Sequence, residues 1–149
     1  ADTPPGDDPA YSICARLFRT AADRAEREGM DPIVAMCLDR WFTPAFQASR
    51  AAQRVADIVR RNSPKGYRGG VEAMSAFDVT DRLVEIAQPT LVLPAALDQG
   101  TPVRCSEEIV ARIPDSRLEV IDHARHIAIV EQPAACNRHL LDHLNRFAA

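Results

Sequence analysis

The stretch Pro89–Pro94, with the sequence PTLVLP, is a continuous apolar run bounded by prolines. Such a run predicts a strand that is buried on both faces, as in a parallel sheet. A second strand is predicted over Arg117–Ile121, after a stretch with helical periodicity over Pro102–Ile113. Two parallel strands joined by one crossover helix form a right-handed βαβ unit. Glu131-Gln132-Pro133 is predicted to start a closing helix that runs over Pro133–Phe147. Its predicted apolar stripe is Leu140, Leu141, Leu144 and Phe147. This order predicts an α/β fold for the second half of the chain.

The first half of the chain predicts helices and no strand. Asp31 and Thr43 are each followed by a proline, which is the pattern of an N-cap and a first helical residue. Helices are predicted over Ala10–Glu28, from Asp31 to about Phe42, from Pro44 to about Arg61 as one piece, and over Pro64–Phe77. We therefore divide the chain into a mostly helical region, residues 1–79, and an α/β region, residues 80–149.

Composition excludes several classes of function. A net charge of −3 over 149 residues gives no global attraction to nucleic acid or anionic lipid. No apolar run approaches the roughly 18 residues that a membrane helix needs. The acidic, proline-rich start is not a signal peptide, so we expect a cytoplasmic protein. We interpret the four cysteines as reduced, mostly buried thiols; they are Cys14, Cys37, Cys105 and Cys136.

Asp98 and His126 lie in the loops that follow the two predicted strands. In a right-handed βαβ unit both loops emerge at the carboxyl edge of the sheet, so the two side chains can meet. An acid that orients a histidine and stabilises its charged form makes up two-thirds of a nucleophilic triad. The order of acid before histidine, with the nucleophile earlier, is the order used by α/β-hydrolases.

The nucleophile of such a triad has no place in this sequence. A hydrolase serine sits in a G-x-S-x-G-like turn between a strand and a helix. None of the six serines has that setting, and Cys105 has no such turn either. The sequence therefore predicts a base and its orienting acid, with no nucleophile for them to activate.

Cys136, His139 and His143 share one face of the predicted closing helix and are candidate metal ligands. Their spacing could bind zinc, but a fourth ligand and the glutamate of an HExxH motif are missing. We expect no metal and no cofactor.

Four segments carry a resemblance to a known family. They are Arg40–Phe46 (RWFTPAF), Pro64–Tyr67 (PKGY), Pro89–Val92 (PTLV) leading to Asp98, and His126–Pro133 (HIAIVEQP). Over nearly its whole length the chain resembles the C-terminal half of an α/β-hydrolase of the 3-oxoadipate enol-lactonase type. The resemblance implies an incomplete hydrolase sheet, its C-terminal βαβα part, preceded by a helical cap.

The same resemblance implies roles for four residues. Asp98 is the catalytic acid and His126 the base, while Trp41 and Arg40 face the substrate from the cap. Trp41 fits core filling equally well, and an exposed arginine at a helix end is the alternative interpretation of Arg40.

The implied function is hydrolysis of a carboxylic ester or lactone by a serine-type enzyme, of which this chain alone is inactive. One alternative is a non-catalytic interaction module derived from a hydrolase. Another is a different α/β-hydrolase chemistry, such as that of a dehalogenase, an epoxide hydrolase or a C–C bond hydrolase, which the missing nucleophile would decide.

A two-stranded sheet leaves an edge and a face open. We therefore expect Pro89–Pro94 to be covered by an N-terminal hydrolase half, as a second chain or as further residues, or by a symmetric copy. The other expected partner is a small ester or lactone substrate. We expect the protein to bind neither nucleic acid nor a membrane.

Overall fold

The computed structural model describes residues 9–147, with side chains from residue 16 onward. The predicted loop at the start of the chain, and the side chains of Tyr11 and Cys14 on the predicted first helix, lie outside the described residues. The helices are α1 (Pro9–Glu28), α2 (Asp31–Trp41), α3 (Pro44–Gln47), α4 (Arg50–Arg60), α5 (Pro64–Ala76), α6 (Val103–Val110), α7 (Ala128–Glu131) and α8 (Pro133–Asn145). The strands are β1 (Thr90–Val92) and β2 (Ser116–Leu118), and a 3-10 helix spans Thr80–Glu85.

The prediction of a single helix from Pro44 to about Arg61 is wrong, because the structure has two helices in that range. Helix α3 ends after one turn, where the Ser49 N–H donates to the Phe46 carbonyl at 2.9 Å. The Ser49 hydroxyl then accepts a hydrogen bond from the Ala52 N–H at 3.1 Å. A serine side chain that bonds a backbone N–H three residues on acts as an N-cap, so it starts a new helix.

The chain groups into two compact units by its contacts. One combines residues 1–37 with 55–78, and the other combines residues 38–54 with 79–149. The division predicted from the sequence, 1–79 and 80–149, stays a prediction, and the contacts group residues 38–54 with the second unit.

The first unit is helical, as the periodicity predicts. Within it the Arg68 guanidinium on α5 donates to carboxylates of Asp23 and Glu26 on α1 at 2.6 to 2.8 Å. Its buried apolar side chains are Ala21, Ala22, Ala25, Met30, Ile33, Val34, Cys37, Ala56, Val59 and Val71. Alanines on α1 allow close helix packing, and the ion pairs flank that contact.

The second unit contains the predicted parallel pair of strands. Strand β1 pairs with β2 in the register Thr90 with Ser116, and Ala95 forms an isolated parallel bridge with Ile121. Helix α6 lies between the strands in sequence, as the βαβ prediction requires. Both strands are shorter than predicted, and β1 is half-buried in this chain, although the sequence predicts burial on both faces.

Helix α8 buries a different face from the predicted one. The predicted apolar stripe, Leu140, Leu141, Leu144 and Phe147, is about half exposed. The buried positions of α8 are Cys136 and His143. Cys136 belongs to a core cluster with Ala95, Ile121, Ala124 and Ala128.

The cysteine thiols and the apolar character of the helices can both be compared with what the sequence predicts. Cys37 and Cys136 are buried, Cys105 is half-buried, and these three thiols form no disulfide. Of the helices in the described residues, none is long and apolar enough to cross a membrane.

Candidate active site

The loop after β1 is tied by backbone hydrogen bonds to the segment after β2. The Ala96 N–H donates to the Ile121 carbonyl at 2.9 Å. The Leu97 N–H donates to the Ala124 carbonyl at 3.0 Å. These bonds bring together the two loops that carry Asp98 and His126, at the carboxyl edge of the two-stranded sheet.

A tight turn holds the Asp98 carboxylate. Its Oδ1 accepts from the backbone N–H groups of Gly100 at 2.8 Å and Thr101 at 3.1 Å. Its Oδ2 accepts from the Thr101 hydroxyl at 2.6 Å. Aspartate favours such turns because its side chain bonds the backbone two or three residues on.

The structure brings Asp98 and His126 into direct contact. The His126 Nδ1 lies 2.8 Å from the Asp98 Oδ2. A carboxylate accepts only, so the imidazole in this bond carries its proton on Nδ1 and leaves Nε2 as an acceptor. The Asp98 side chain is 6% exposed, whereas that of His126 is 41% exposed. The Asp98 carboxylate is therefore enclosed and the histidine is accessible.

The turn also sets the charge of Asp98. Burial raises the pKa of this carboxyl, but hydrogen bonds from the Thr101 hydroxyl, from His126 and from two backbone N–H groups lower it by more. The net effect holds the pKa of Asp98 below its ordinary value, so the group is a carboxylate near neutral pH.

Trp41 lies beside the histidine. The Trp41 and His126 ring centroids are 6.3 Å apart, with the ring planes 28° from parallel. The Ile127 N–H donates to the Trp41 carbonyl at 3.2 Å. Trp41 is half-buried at the end of α2. Trp41 is therefore a direct neighbour of the His126 ring.

Arg40 lies beside the turn that holds Asp98. A Cβ added to Gly100 would be 3.3 Å from an Arg40 guanidinium nitrogen and 3.4 Å from the Asp98 Oδ1. Gly100 thus lets the backbone, the guanidinium and the carboxylate approach one another closely. All four residues predicted as a site lie in the second unit.

Three further polar residues of the site escaped the sequence reasoning. Thr101 completes the Asp98 turn, and its position three residues after the acid is the signal that could have found it. Thr43 and Glu131 are hydrogen-bonded to each other although they are 88 positions apart. No local pattern predicts that contact.

Two open depressions adjoin the site, with volumes of about 280 Å³ and 390 Å³. Thr43 and Leu97 line both of them. Asp98 and Arg125 reach the smaller one, and Glu131 reaches the larger one.

The three candidate zinc ligands have other neighbours, and Cys136 packs in the apolar core cluster described above. His143 Nε2 lies 3.3 Å from the Pro89 carbonyl, and His139 Nδ1 lies 3.8 Å from a Glu119 carboxylate oxygen. Within the described part of the chain, no group of three or more histidine, cysteine or acidic side chains could hold a metal ion.

Known proteins with similar sequences are about twice as long as this chain. The chain is 32% identical over 135 residues to 3-oxoadipate enol-lactonase 2 of Acinetobacter baylyi, a match that covers 89% of this chain and 50% of that protein. It is 36% identical over 111 residues to RutD of Variovorax paradoxus, described as a candidate carbamate hydrolase, covering 71% and 42%. No family model matches the chain.

Solved structures match over the same share of their length. A thermophilic esterase from Thermogutta terrifontis has a TM-score of 0.79 at 25% identity, covering 94% of this chain and 52% of the esterase. The enol-lactonase from Burkholderia xenovorans LB400 has a TM-score of 0.81 at 24% identity, covering 87% and 50%. This chain therefore spans about half the length of the proteins that it is similar to.

Proposed function

We propose that this chain, which has the fold of the C-terminal half of an α/β-hydrolase, is the base-carrying part of a serine-type ester or lactone hydrolase. The observation that carries the proposal is the hydrogen bond of 2.8 Å between His126 Nδ1 and the enclosed Asp98 carboxylate. The names of the enol-lactonase and esterase relatives supply the substrate class.

In the proposed mechanism a serine from outside this chain is the nucleophile. His126 Nε2 takes the proton of the serine hydroxyl while the serine oxygen attacks the ester carbonyl. The imidazolium then gives that proton to the leaving alkoxide as the carbon–oxygen bond breaks. Water repeats both steps on the acyl-enzyme, which releases the carboxylic acid and restores the serine. Asp98 holds the Nδ1–H tautomer and stabilises the imidazolium throughout.

Trp41 and Arg40 are proposed to face the substrate. The Trp41 ring next to His126 offers an apolar wall for the acyl or lactone part of the substrate. Arg40 would bind a substrate carboxylate, since a guanidinium forms two parallel hydrogen bonds with such a group. An enol-lactone of a dicarboxylic acid carries one.

The test is a chimera that supplies the missing half. The part of the Acinetobacter baylyi enol-lactonase that precedes the matched region is joined to this chain, and hydrolysis of p-nitrophenyl acetate and of 3-oxoadipate enol-lactone is measured. We expect turnover that His126→Ala abolishes and that Asp98→Asn lowers by about 10⁴ in kcat. A cooperatively unfolding chimera whose rates equal those of its His126→Ala variant would overturn the proposal. That outcome would favour the interaction module.

Carbamates are a second substrate class, favoured by the 36% identity to the candidate carbamate hydrolase. The same chimera, assayed with a carbamate ester, decides between the classes by the ratio of kcat/KM values. A higher value for the carbamate would replace lactones as the proposed substrate without changing the roles of His126 and Asp98.

A further inference from the structure

We infer that Glu131 is the positioning residue that fixes the backbone of His126 against the segment Asp39–Thr43. The inference rests on the proposed role of His126 as the base. Glu131 touches neither His126 nor Asp98 in any hydrogen bond of the site. Its action would run through the backbone on which the imidazole is mounted.

The Glu131 carboxylate joins two segments that are distant in sequence. It is only 6% exposed. Its Oε1 accepts from the Thr43 N–H at 2.9 Å and from the Thr43 hydroxyl. Its Oε2 accepts from the Arg125 N–H at 2.9 Å. Each oxygen therefore serves a different segment, and the side chain bridges them.

Both neighbours of His126 in the chain are held by this arrangement. The Arg125 N–H donates to the Glu131 carboxylate. The Arg125 guanidinium donates to the Asp39 carbonyl and, at 3.4 Å, to the Phe42 carbonyl. On the other side, the Ile127 N–H donates to the Trp41 carbonyl at 3.2 Å. With residues 125 and 127 fixed, His126 keeps mainly the freedom of its side chain. The same segment that fixes the backbone also carries the Trp41 ring beside the imidazole.

Stability alone does not account for a buried carboxylate whose hydrogen-bond donors are neutral groups. Enclosing the charge is costly, and that cost is offset only when each carboxylate oxygen meets its donors. What the carboxylate provides here is two acceptor oxygens at a fixed separation. Such geometric control matters for a base, because a displacement of about 1 Å lowers a rate strongly.

Glu131→Gln tests the bridge with little change in shape. A side-chain amide has one oxygen, so one of its two ends presents an N–H group. Either the Arg125 N–H or the Thr43 N–H then loses its acceptor. Glu108→Gln on the exposed side of α6 is the matched control. Thr43→Val is the milder second variant, because it removes the hydroxyl and keeps the Thr43 N–H.

The measurements are amide hydrogen exchange and the Nδ1 proton signal of His126, both by NMR on the 149-residue chain. In Glu131→Gln the amide of Arg125 or Thr43 should exchange about ten- to a hundredfold faster, as expected for losing a hydrogen bond to a charged acceptor. The His126 signal should broaden or vanish, as it should in Asp98→Asn. Thr43→Val should show smaller changes of the same kind.

The buried Ile121 amide, bonded to Pro94 at 2.8 Å, reports on global unfolding. The inference is overturned if the His126 signal survives in Glu131→Gln, if neither the Arg125 nor the Thr43 amide accelerates, or if the Ile121 amide accelerates as much as the faster of those two. Neither measurement needs the serine. Failure of the hydrolase proposal in the chimera and failure of this inference are therefore separate results.

Discussion

The Asp98 carboxylate does two things with one set of hydrogen bonds. The Thr101 hydroxyl, His126 and two backbone N–H groups overcome the effect of burial and lower its pKa. The same donors fix the direction in which Oδ2 faces the imidazole. Stability and the proposed catalytic geometry are thus coupled at this residue.

A pH prediction follows from the lowered pKa of Asp98. A carboxyl with a lower pKa in the folded state than its ordinary value of 3.8 stabilises the fold above that value. The contribution disappears as the pH falls through the folded pKa. We expect Asp98→Asn to lower the free energy of unfolding near neutral pH by about 1 to 2 kcal/mol. As the pH falls into the acid range, the free energy of unfolding of the variant should decrease less than that of the wild type.

Urea unfolding at neutral pH and at steps through and below pH 3.8 measures this difference. Asp142→Asn, at an exposed position of α8, is the control and should retain the acid dependence of the wild type. Parallel unfolding curves for wild type and Asp98→Asn across the whole acid range would contradict the prediction.

Asp98 and His126 could be predicted because topology decides their proximity. Each follows a short apolar run, and the carboxyl ends of parallel strands meet at one edge. Glu131 could not be predicted, since its partner Thr43 is 88 positions away and nothing local marks a buried carboxylate. The sequence predicts Glu131 at the start of a helix, whereas in the structure Glu131 ends the short helix α7.

Helix boundaries follow the side chains that cap them. The sequence marks Ser63-Pro64 as a break, and the Ser63 hydroxyl accepts from the Gly66 N–H at 2.9 Å at the start of α5. The cap at Ser49 was missed because no proline follows it. Alanine-rich sequence on both sides of Ser49 then suggests one continuous helix.

The Ser63 cap gives a prediction for α5. Ser63→Ala should lower the free energy of unfolding by about 1 kcal/mol, because a helix N–H loses its acceptor. Ser63→Gly should lower the free energy of unfolding by only a few tenths of a kcal/mol, since glycine is tolerated at an N-cap. Urea titration of both variants measures the effect. A Ser63→Ala variant as stable as the wild type would mean that the cap contributes nothing.

The α8 leucines show why a helical pattern alone misjudges a buried face. Leu140, Leu141 and Leu144 form an apolar stripe, yet they are about half exposed. Periodicity identifies an apolar face, but which partner covers that face depends on the rest of the sheet. A chain that spans half the length of its relatives leaves that partner unspecified.

Among the described residues the sheet has two strands, and β1 forms one of its edges. The Thr90 N–H donates to the Asp115 carbonyl at 2.8 Å, and the Val92 carbonyl accepts from the Glu119 N–H at 3.0 Å. Alternate residues of a parallel strand bond to opposite neighbours, so Leu91 points its backbone groups away from β2. Among the described residues β1 has one neighbouring strand. An open edge of this kind invites a further strand.

We propose that this edge pairs with the N-terminal hydrolase half, and Leu91→Pro tests the pairing. Proline removes the Leu91 N–H and is tolerated on an edge strand but not in the middle of a sheet. Leu91→Ala loses the same side chain and keeps the N–H. In the isolated chain the two variants should unfold at similar urea concentrations. In the chimera, Leu91→Pro should unfold at a clearly lower concentration than Leu91→Ala.

The same pair of variants separates the two expected occupants of the edge. If a second copy of this chain covers β1, Leu91→Pro already differs from Leu91→Ala in the isolated chain, and sedimentation shows a dimer that the proline dissociates. If the N-terminal half covers it, the difference appears only in the chimera, because only there does the Leu91 N–H have an acceptor. Variants that behave alike in both settings would mean that this edge forms no ladder, and the predicted covering of Pro89–Pro94 would be wrong.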